Sequence, residues 1–572
     1  METATRMNKP FRWYLLVFPL AAITLALVWV GGNSQAQKDK PVPLIVGEVR
    51  DGQNQPVQGA QVSLLASGSS DILTETSTQP DGRYSLPIPN PLPSDPILDI
   101  ERAHFKGVRI PLQPENIQAL QSGEATVIPE VTLSRQINLA FWIATLIFVA
   151  VLVLIATGVL HNTLAALVGA ALIFAFSYLG EPISEQLFIF DFPTSIQYID
   201  WNVIFLVMGM MIVIAVVENT GIFQWLAFFA YRISGGRTWL LLPILMLITG
   251  VASAFLDNVT TMLLMTPISV QIALALGINP LALLMPEVMA SNVIGVSTLV
   301  GTPTNILIGS FGNISFNDFL VNLTPGVLLA FVGLLIYNGL VYRKELSEAR
   351  NASPALIERL AERGQITNPA NLKKAGWVGA GMLILFVFGE SVHLVPAVTA
   401  LIGATALMVW IRPNIEEMIE AVDWTTLVFF MSLFIVVGGI QEVGLISFIA
   451  DGIGRVVGQN LTLTMLAIIW LSAVLSTVVA NIPFTAAMLP VVGFLTATVP
   501  GAEGKVLFYC LSVGSAMGGN GSLIGASANM VTAGIADGAG YPISYAYFLK
   551  KGFPALLVTV GLATLWLFLR FH

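Results

Sequence analysis

The sequence predicts a polytopic α-helical membrane protein of two inverted five-helix repeats, each with a re-entrant hairpin and a broken helix, plus a small extracytoplasmic β-sandwich. Three observations lead there. Of the 572 residues 55% are hydrophobic and only 10% are charged, whereas soluble domains carry about a quarter charged residues. One unit occurs twice: Asp200, Gly221, Ser253, Asn258 and Pro267 recur 223 residues later as Asp423, Gly444, Ser476, Asn481 and Pro490. Lys38 to Arg135, in contrast, is polar, rich in Pro and Gly, and alternating.

The N-terminal segment 1–37 carries Arg6, Lys9 and Arg12 ahead of a charge-free run from Trp13 to Gly32. That run approaches the roughly 20 residues that span a bilayer, so it is expected to be a membrane anchor, with a signal peptide as the alternative. Residues 38–135 are expected to form short strands, because alternation bounded by turn residues is the pattern of a half-buried strand. Asp81-Gly82 suits a tight turn, with Tyr84 starting the next strand and facing inward.

From Gln136 onward, apolar runs near 137–157, 160–179, 201–219, 282–310 and 324–342 form repeat 1 (136–342). Runs near 375–390, 394–411, 424–442, 506–533 and 553–571 form repeat 2 (375–572), and residues 343–374 link the two. The stretches 238–276 and 461–499 are too long for one crossing and are interrupted midway by polar motifs, which predicts re-entrant hairpins. Five crossings per repeat, an odd number, invert the second copy. Lys and Arg place the N-terminus and the linker 343–374 in the cytoplasm and residues 38–135 outside it, in the plasma (inner) membrane.

The motifs that carry chemistry lie at these interruptions. Asp257-Asn258-Val259-Thr260-Thr261 offers a carboxylate, an amide and two hydroxyls, an oxygen-rich set suited to Na+ or a proton. Between Arg237 and Asp318 only Asp257 and Glu287 are charged, and acids at membrane depth are rare and functional. The plainer reading of Asp257 is a helix cap. The mate, Asn481 with Thr485, has Ala480 where Asp257 would recur, and simple capping by Asn481 is its alternative. Ser297, Thr298, Thr302, Thr304 and Asn305 sit in a Gly- and Pro-rich break. Its mate holds Asn520, Ser522, Ser527 and Asn529 around Gly518, Gly519, Gly521 and Gly525. Backbone groups freed there need partners, from protein, water or a passing ion; close helix packing is the alternative use of small residues. Glu287 is a candidate for proton exchange, or else snorkels to the inner interface. Glu218, Glu390, His393 and Glu442, at span ends, read as solvated faces.

Two resemblances follow from these residues. Gly47-x-Val49-x-Asp51, Pro56-Val57, Gly59-Ala60-x-Val62-x-Leu64, Thr78 and Asp81-Gly82-x-Tyr84 resemble the carboxypeptidase regulatory-like β-sandwich, whose usual roles are structural or adhesive. Leu256-Asp257-Asn258-Val259-Thr260-Thr261, Asn481-Ile482-Pro483-Phe484-Thr485 and Gly518 to Asn529 resemble the ion transporter superfamily. Its closest branch here holds the P protein, arsenite permeases, sodium/proton antiporters and citrate or dicarboxylate carriers. The resemblance implies a homodimer that shifts a transport domain in an elevator-like motion. Ala480 departs from the P-protein-like pattern, which has Asp there, and Pro303-Thr304-Asn305 is closer to the arsenite and carboxylate members.

The expectation is a secondary active transporter, not an enzyme, that couples a Na+ or H+ gradient to movement of a small ion. Na+ is expected at Asp257, Asn258 and Asn481, and proton coupling at Asp257 or Glu287. An anion such as a carboxylate is the first expected substrate; the motifs hold no Lys or Arg, so it would rely on helix N-termini and hydroxyls. Asp257 favours cations, which keeps a Na+/H+ antiporter and an arsenite efflux permease as alternatives. A membrane-anchored sensor or adhesion protein is the alternative of another class. The net charge of −8, with no basic stripe, excludes nucleic acid as a partner. No phosphate-binding loop is present, and no cofactor beyond the coupling ion is expected. Cys510 is the single cysteine, so no internal disulfide forms.

Overall fold

The computed structural model describes residues 43–571 except 53–54, 67–70, 90–91, 93–94, 349–360, 363, 450–451 and 453–459. The expected anchor 1–37 lies outside the described residues. Two compact units divide between Gln136 and Ile137.

The first unit is a β-sandwich. Its strands are β1 (Leu44–Asp51), β2 (Gln61–Ala66), β3 (Ile72–Ser77), β4 (Arg83–Pro87), β5 (Pro96–Glu101), β6 (Val108–Pro111), β7 (Thr126–Val127) and β8 (Val131–Leu133), with a helix α1 (Pro114–Gln121) between β6 and β7. One sheet has the order β4-β1-β7, with β8 also pairing β1; the other is β3-β2-β5-β6. β4 alternates strictly, Tyr84 and Leu86 inward and Arg83, Ser85 and Pro87 outward. Ile45, Val49, Tyr84, Leu86 and Leu133 of one sheet share a core with Val62, Leu64, Leu98 and Ile100 of the other. Gly82 N–H donates to Gln79 O at 2.9 Å and closes the turn before β4. Thr78 Oγ1 donates to Val57 O (2.6 Å) and accepts from Ala60 N–H (2.8 Å), which fixes the loop before β2.

The second unit is helical. Repeat 1 contains α2 (Leu139–Thr157), α3 (Asn162–Ala175, extended by a π-turn to Gly180), α4 (Trp201–Glu218), α5 (Ile222–Ser234), α6 (Thr238–Ser253), α7 (Asn258–Ala275), α8 (Leu281–Ile294), α9 (Pro303–Phe311) and α10 (Phe316–Val341). Repeat 2 contains α11 (Pro369–Phe388), α12 (Pro396–Ile411), α13 (Trp424–Glu442), α14 (Leu461–Leu475), α15 (Asn481–Thr498), α16 (Val506–Gly518), α17 (Ser527–Gly538) and α18 (Tyr545–Phe571). Among the described residues, nine helices are long and apolar enough to cross a membrane. The expected runs 282–310 and 506–533 are each two half-helices, α8 with α9 and α16 with α17, separated by a 3₁₀ turn and extended residues.

Helix α5 is a departure from the sequence reading, which placed no element there. Phe223, Ala227, Ala230, Tyr231 and Ser234 make one buried stripe, and 13 residues with one apolar face pack along a surface rather than span a bilayer.

Hydrogen bonds show which chain ends lie together. Thr238 Oγ1 donates to Leu346 O (2.7 Å), Tyr337 OH to Lys551 O (2.7 Å), Thr367 N–H to Thr220 O (3.0 Å) and Lys374 Nζ to Trp410 O (3.1 Å). These bonds gather the ends of α4, α10 and α12 with the starts of α6, α11 and α18. At the other end, Lys505 Nζ reaches Asn313 O and Asn317 Nδ2 reaches Val387 O, so α16 starts where α9 stops. The first end carries Arg237, Arg343, Lys344, Lys373, Lys374, Lys550 and Lys551; the second carries Lys505 and Arg570 among Asp318, Glu390 and Glu503.

Candidate functional site

Each hairpin tip meets the break of its own repeat. α6 and α8 run side by side, so Thr249 faces Glu287 and Ser253 faces Ser291, with Ser291 Oγ donating to Ser253 Oγ at 2.9 Å. In repeat 2, Ser476 Oγ donates to Ser515 O at 2.7 Å. The breaks match residue for residue: Thr298 and Ser522, then Thr302 and Ala526, are extended (φ −127°, −147°, −142° and −143°). Thr298 Oγ1 donates to Ala254 O, and Ser522 Oγ donates to the corresponding Thr477 O. Each hydroxyl also accepts a backbone N–H three residues on, from Gly301 (3.0 Å) and Gly525 (3.2 Å). Backbone packs on backbone at both glycines: a Cβ at Gly301 would lie 2.4 Å from Gly295 O, and one at Gly525 2.9 Å from Gly519 O. The small residues of the motifs therefore serve close packing, and the freed polar groups are satisfied locally.

A chain of buried amides joins the repeats. Asn258 Oδ1 accepts from Ser253 Oγ (2.9 Å), and Asn258 Nδ2 donates to Asn292 Oδ1 (2.9 Å). Asn292 Nδ2 donates to both Asn520 Oδ1 (2.9 Å) and Asn529 Oδ1 (3.0 Å). Asn529 Nδ2 donates to Gly519 O and Ser522 O, as Asn305 Nδ2 does to Val296 O and Thr298 O. Ser512 Oγ donates to Asn305 Oδ1 at 2.6 Å. The second half of each broken helix thus packs against the other repeat, α17 on α7 and α9 on α15.

Sequence reasoning missed Asn292, Ser253, Ser291 and Ser512 as site residues. Beyond the hairpins the offset is 224, because Ser253 Oγ donates to Ser291 O as Ser476 Oγ does to Ser515 O; Asn292 therefore has Ala516 as its mate, so the repeat gave no signal for it, and a lone amide inside an apolar span was the only one available.

The other expected residues divide. Asp257, half-buried, caps α7: its carboxylate accepts Thr260 N–H (2.9 Å) and Thr260 Oγ1 (2.6 Å). Thr302 Oγ1 caps α9 through Asn305 N–H (3.2 Å) and pairs with Thr304 Oγ1 (2.8 Å). Ser297 and Thr485 turn back onto their own helices, to Ile294 O and Asn481 O. Ser527, at the start of α17, is half-buried. Thr261 Oγ1 is buried with no partner among the described residues.

Asn481 is not a cap. The cap position of α15 is Ala480, which has no side chain to offer, and Asn481 N–H donates to Gly525 O at 3.3 Å. Snorkelling of Glu287 is likewise excluded: it is fully buried and accepts from Thr249 Oγ1 (3.2 Å) and Ser269 Oγ (2.9 Å). Glu218 and Glu390 are exposed, while Glu442 is half-buried and accepts from Tyr198 OH. Among the described residues, no three His, Cys, Asp or Glu side chains are grouped to hold a metal ion.

A cavity of about 580 Å3 opens at the Lys505 end and reaches Leu299 and Ile306 beside the first break. His393, Glu390, Asp318, Asn313 and Lys505 also line it.

Residues 152–505 match the family described as Citrate transporter, CitMHS. An uncharacterized transporter of Mycobacterium bovis is 36% identical over 417 residues, 73% of this chain and 95% of that protein. The P protein of Homo sapiens is 32% identical over 487 residues, 71% of this chain and 57% of its own length. The solved structure of Neisseria gonorrhoeae MtrF, presented as illuminating a class of antimetabolite efflux pumps, aligns with a TM-score of 0.48 at 11% identity, over 75% of this chain and 94% of that one. With 36% identity over most of a relative and a family match across both repeats, the chain belongs to the CitMHS citrate transporter family and is a non-enzymatic, multi-pass membrane transporter.

Proposed function

We propose that this protein couples a Na+ or H+ gradient to the movement of a small ion, with a carboxylate anion as the first candidate, through two oppositely inserted repeats. The observation that carries the reading is the meeting of two broken helices and the first hairpin tip at one buried amide cluster, with the second tip bonded to its own break. Interrupted helices with half-helix ends aimed at a common site are how secondary transporters hold an ion within the bilayer. Opposite insertion is supported by where the half-helices begin: α16 starts at the Lys505 end, and α8 starts at the opposite, basic end.

An anion is supported by the helix starts. α17 begins at Ala526 with no side-chain cap for its first-turn N–H groups, and α15 begins at Ala480 likewise, with Asn481 N–H donating to Gly525 O, whereas α7 and α9 are capped by Asp257 and Thr302. The start of α17 is then the anion side, and Asp257, with Asn258 and Asn481, the candidate Na+ side. The family's description, Citrate transporter, supports a carboxylate. A Na+/H+ antiporter is the second reading, favoured by the two acids of repeat 1. Family membership speaks for transport over a sensor or adhesion role.

The basic end is assigned to the cytoplasm, because Lys and Arg remain on the side from which helices insert. On that assignment the protein sits in the plasma membrane with its N-terminus inside, residues 38–135 outside, and the cavity at Lys505 open to the exterior. A homodimer with an elevator-like shift of the hairpins and broken helices completes the proposal. Proteoliposomes offered citrate, succinate, arsenite and Na+ under imposed Na+ or proton gradients test it. Accumulation of one of them in step with a gradient is expected, and indifference to both gradients across the panel would sink the reading.

A further inference from the structure

The two repeats share a backbone plan, yet among the described residues only repeat 1 holds a buried acid, Glu287. In repeat 1, Glu287 Oε2 accepts from Thr249 of α6 and Ser269 of α7, so the carboxyl is clasped by both arms of the hairpin, and Oε1 is buried with no partner. One turn along the same helices, Ser291 meets Ser253, which leads on to Asn258 and the amide chain. The mates of Thr249, Ser253, Glu287 and Ser291 are Ser472, Ser476, Leu511 and Ser515. The Ser476–Ser515 contact persists there. The lower contact does not: Leu511 replaces the acid, Val492 replaces Ser269, and Ser472 Oγ is left buried without a partner.

Among the described residues no charge balances Glu287. α6 and α7 hold no titratable residue along their lengths, and α8 holds no other. Asp257 caps α7 twelve residues before Ser269, about 18 Å along the axis. The other elements packed on α8 carry Asp318 and Tyr337 (α10), Tyr509 and Cys510 (α16), Asp537 (α17), and Tyr545, Tyr547, Lys550, Lys551 and Arg570 (α18). None of these pairs or hydrogen-bonds with Glu287. An unpaired carboxylate in such a place is costly enough that the neutral form is the one the closed hairpin accommodates.

We propose that Glu287 is the proton-carrying group of the transport cycle, holding a proton while α6 and α7 clasp it and releasing it when that clasp opens to water. On release the Oε1–H bond breaks, the proton passes to an entering water, and the carboxylate keeps its electron pair and the Thr249 and Ser269 hydroxyls as donors. Leu511 makes repeat 2 silent to protons, so one proton site serves each chain. The inference rests on the secondary-transport reading and assigns its proton site.

Two measurements on the full-length protein test it. Infrared difference spectra of the purified protein across pH should contain a protonated-carboxyl band that vanishes in Glu287→Gln and persists in Asp257→Asn. In proteoliposomes with a trapped pH dye and the same four solutes, proton flux accompanying whichever solute moves should fall to about a tenth or less in Glu287→Gln, while counterflow exchange of that solute is retained. A band or a proton flux unchanged by Glu287→Gln overturns the inference. Should that variant fail to assemble, the double variant Thr249→Val with Ser269→Ala keeps the acid and removes its donors; the band must then shift, and an unmoved band overturns the inference. Failure of the unsubstituted protein to move any of the four solutes refutes the transport reading beneath it, a result told apart because the infrared band needs no transport.

Discussion

Asn292 Nδ2 donates to Asn529 Oδ1 across 3.0 Å, joining α8 of repeat 1 to α17 of repeat 2 at positions 237 residues apart. The same side chain takes a hydrogen bond from Asn258 at the first hairpin tip and gives one to Asn520 at the second break. With the Ser512–Asn305 bond it ties the two repeats together.

Asn292→Ala removes three hydrogen bonds and leaves buried amide oxygens on Asn520 and Asn529 without this donor. Each unsatisfied group costs about 1–3 kcal/mol, so the variant should melt lower in detergent and lose most counterflow exchange. Thermal denaturation followed by size exclusion, beside an exchange assay, checks both effects.

The glycines of the breaks make a graded prediction. Gly301→Ala should destabilise more than Gly525→Ala, because the added Cβ would meet a carbonyl oxygen at 2.4 Å rather than 2.9 Å. Gly339→Ala, with nothing within 4 Å, should be neutral or stabilise slightly, as alanine favours a helix by about 1 kcal/mol. Melting temperatures of the three variants give the order.

Asp257→Asn keeps an N-cap on α7, so its stability should change by only a few tenths of a kcal/mol. Response to a Na+ gradient should nonetheless fall well below that of Glu442→Gln, whose site lies at the end of α13. Gradient-driven uptake by the two variants makes the comparison.

In the sandwich, burial pushes the Tyr84 phenol from its ordinary value of 10.0 up to about 12. The neutral form is therefore favoured by the fold: its contribution is complete below pH 10 and is lost as pH rises from 10 towards about 12. Denaturation of residues 38–135, which have their own core, should show that decline, and Tyr84→Phe should reduce it. Gly47→Val should unfold the same unit, since the Tyr84 ring occupies the space where its Cβ would stand, 2.5 Å from the hydroxyl.

Much of this was legible in the sequence. The offset linking Ser253 to Ser476 and Gly301 to Gly525 set out the repeat because backbone packing of this closeness admits only small residues, and such residues are visible in a string. The strands around Tyr84 were legible for the same reason, as period-2 burial writes itself into residue order. Side-chain partnership was not legible. Ser512 finds Asn305 from 207 residues away, and nothing local to either indicates it. Asn292 has the apolar mate Ala516, so the symmetry that exposed the scaffold concealed it, whereas Glu287, whose mate is Leu511, stood out as one of two acids between Arg237 and Asp318. Asp257 drew the eye as an isolated acid, and the fold sets it at the start of α7 as a helix cap, while Glu287 is sealed inside.

Opposite insertion of the two repeats is most directly tested at mates that start the broken helices, Asn279 before α8 and Glu503 before α16. In a Cys510→Ser background, single cysteines at these positions would be exposed to a membrane-impermeant maleimide on right-side-out vesicles. The account predicts labelling of position 503 from outside and of position 279 only after permeabilisation; labelling of both from one side would contradict it.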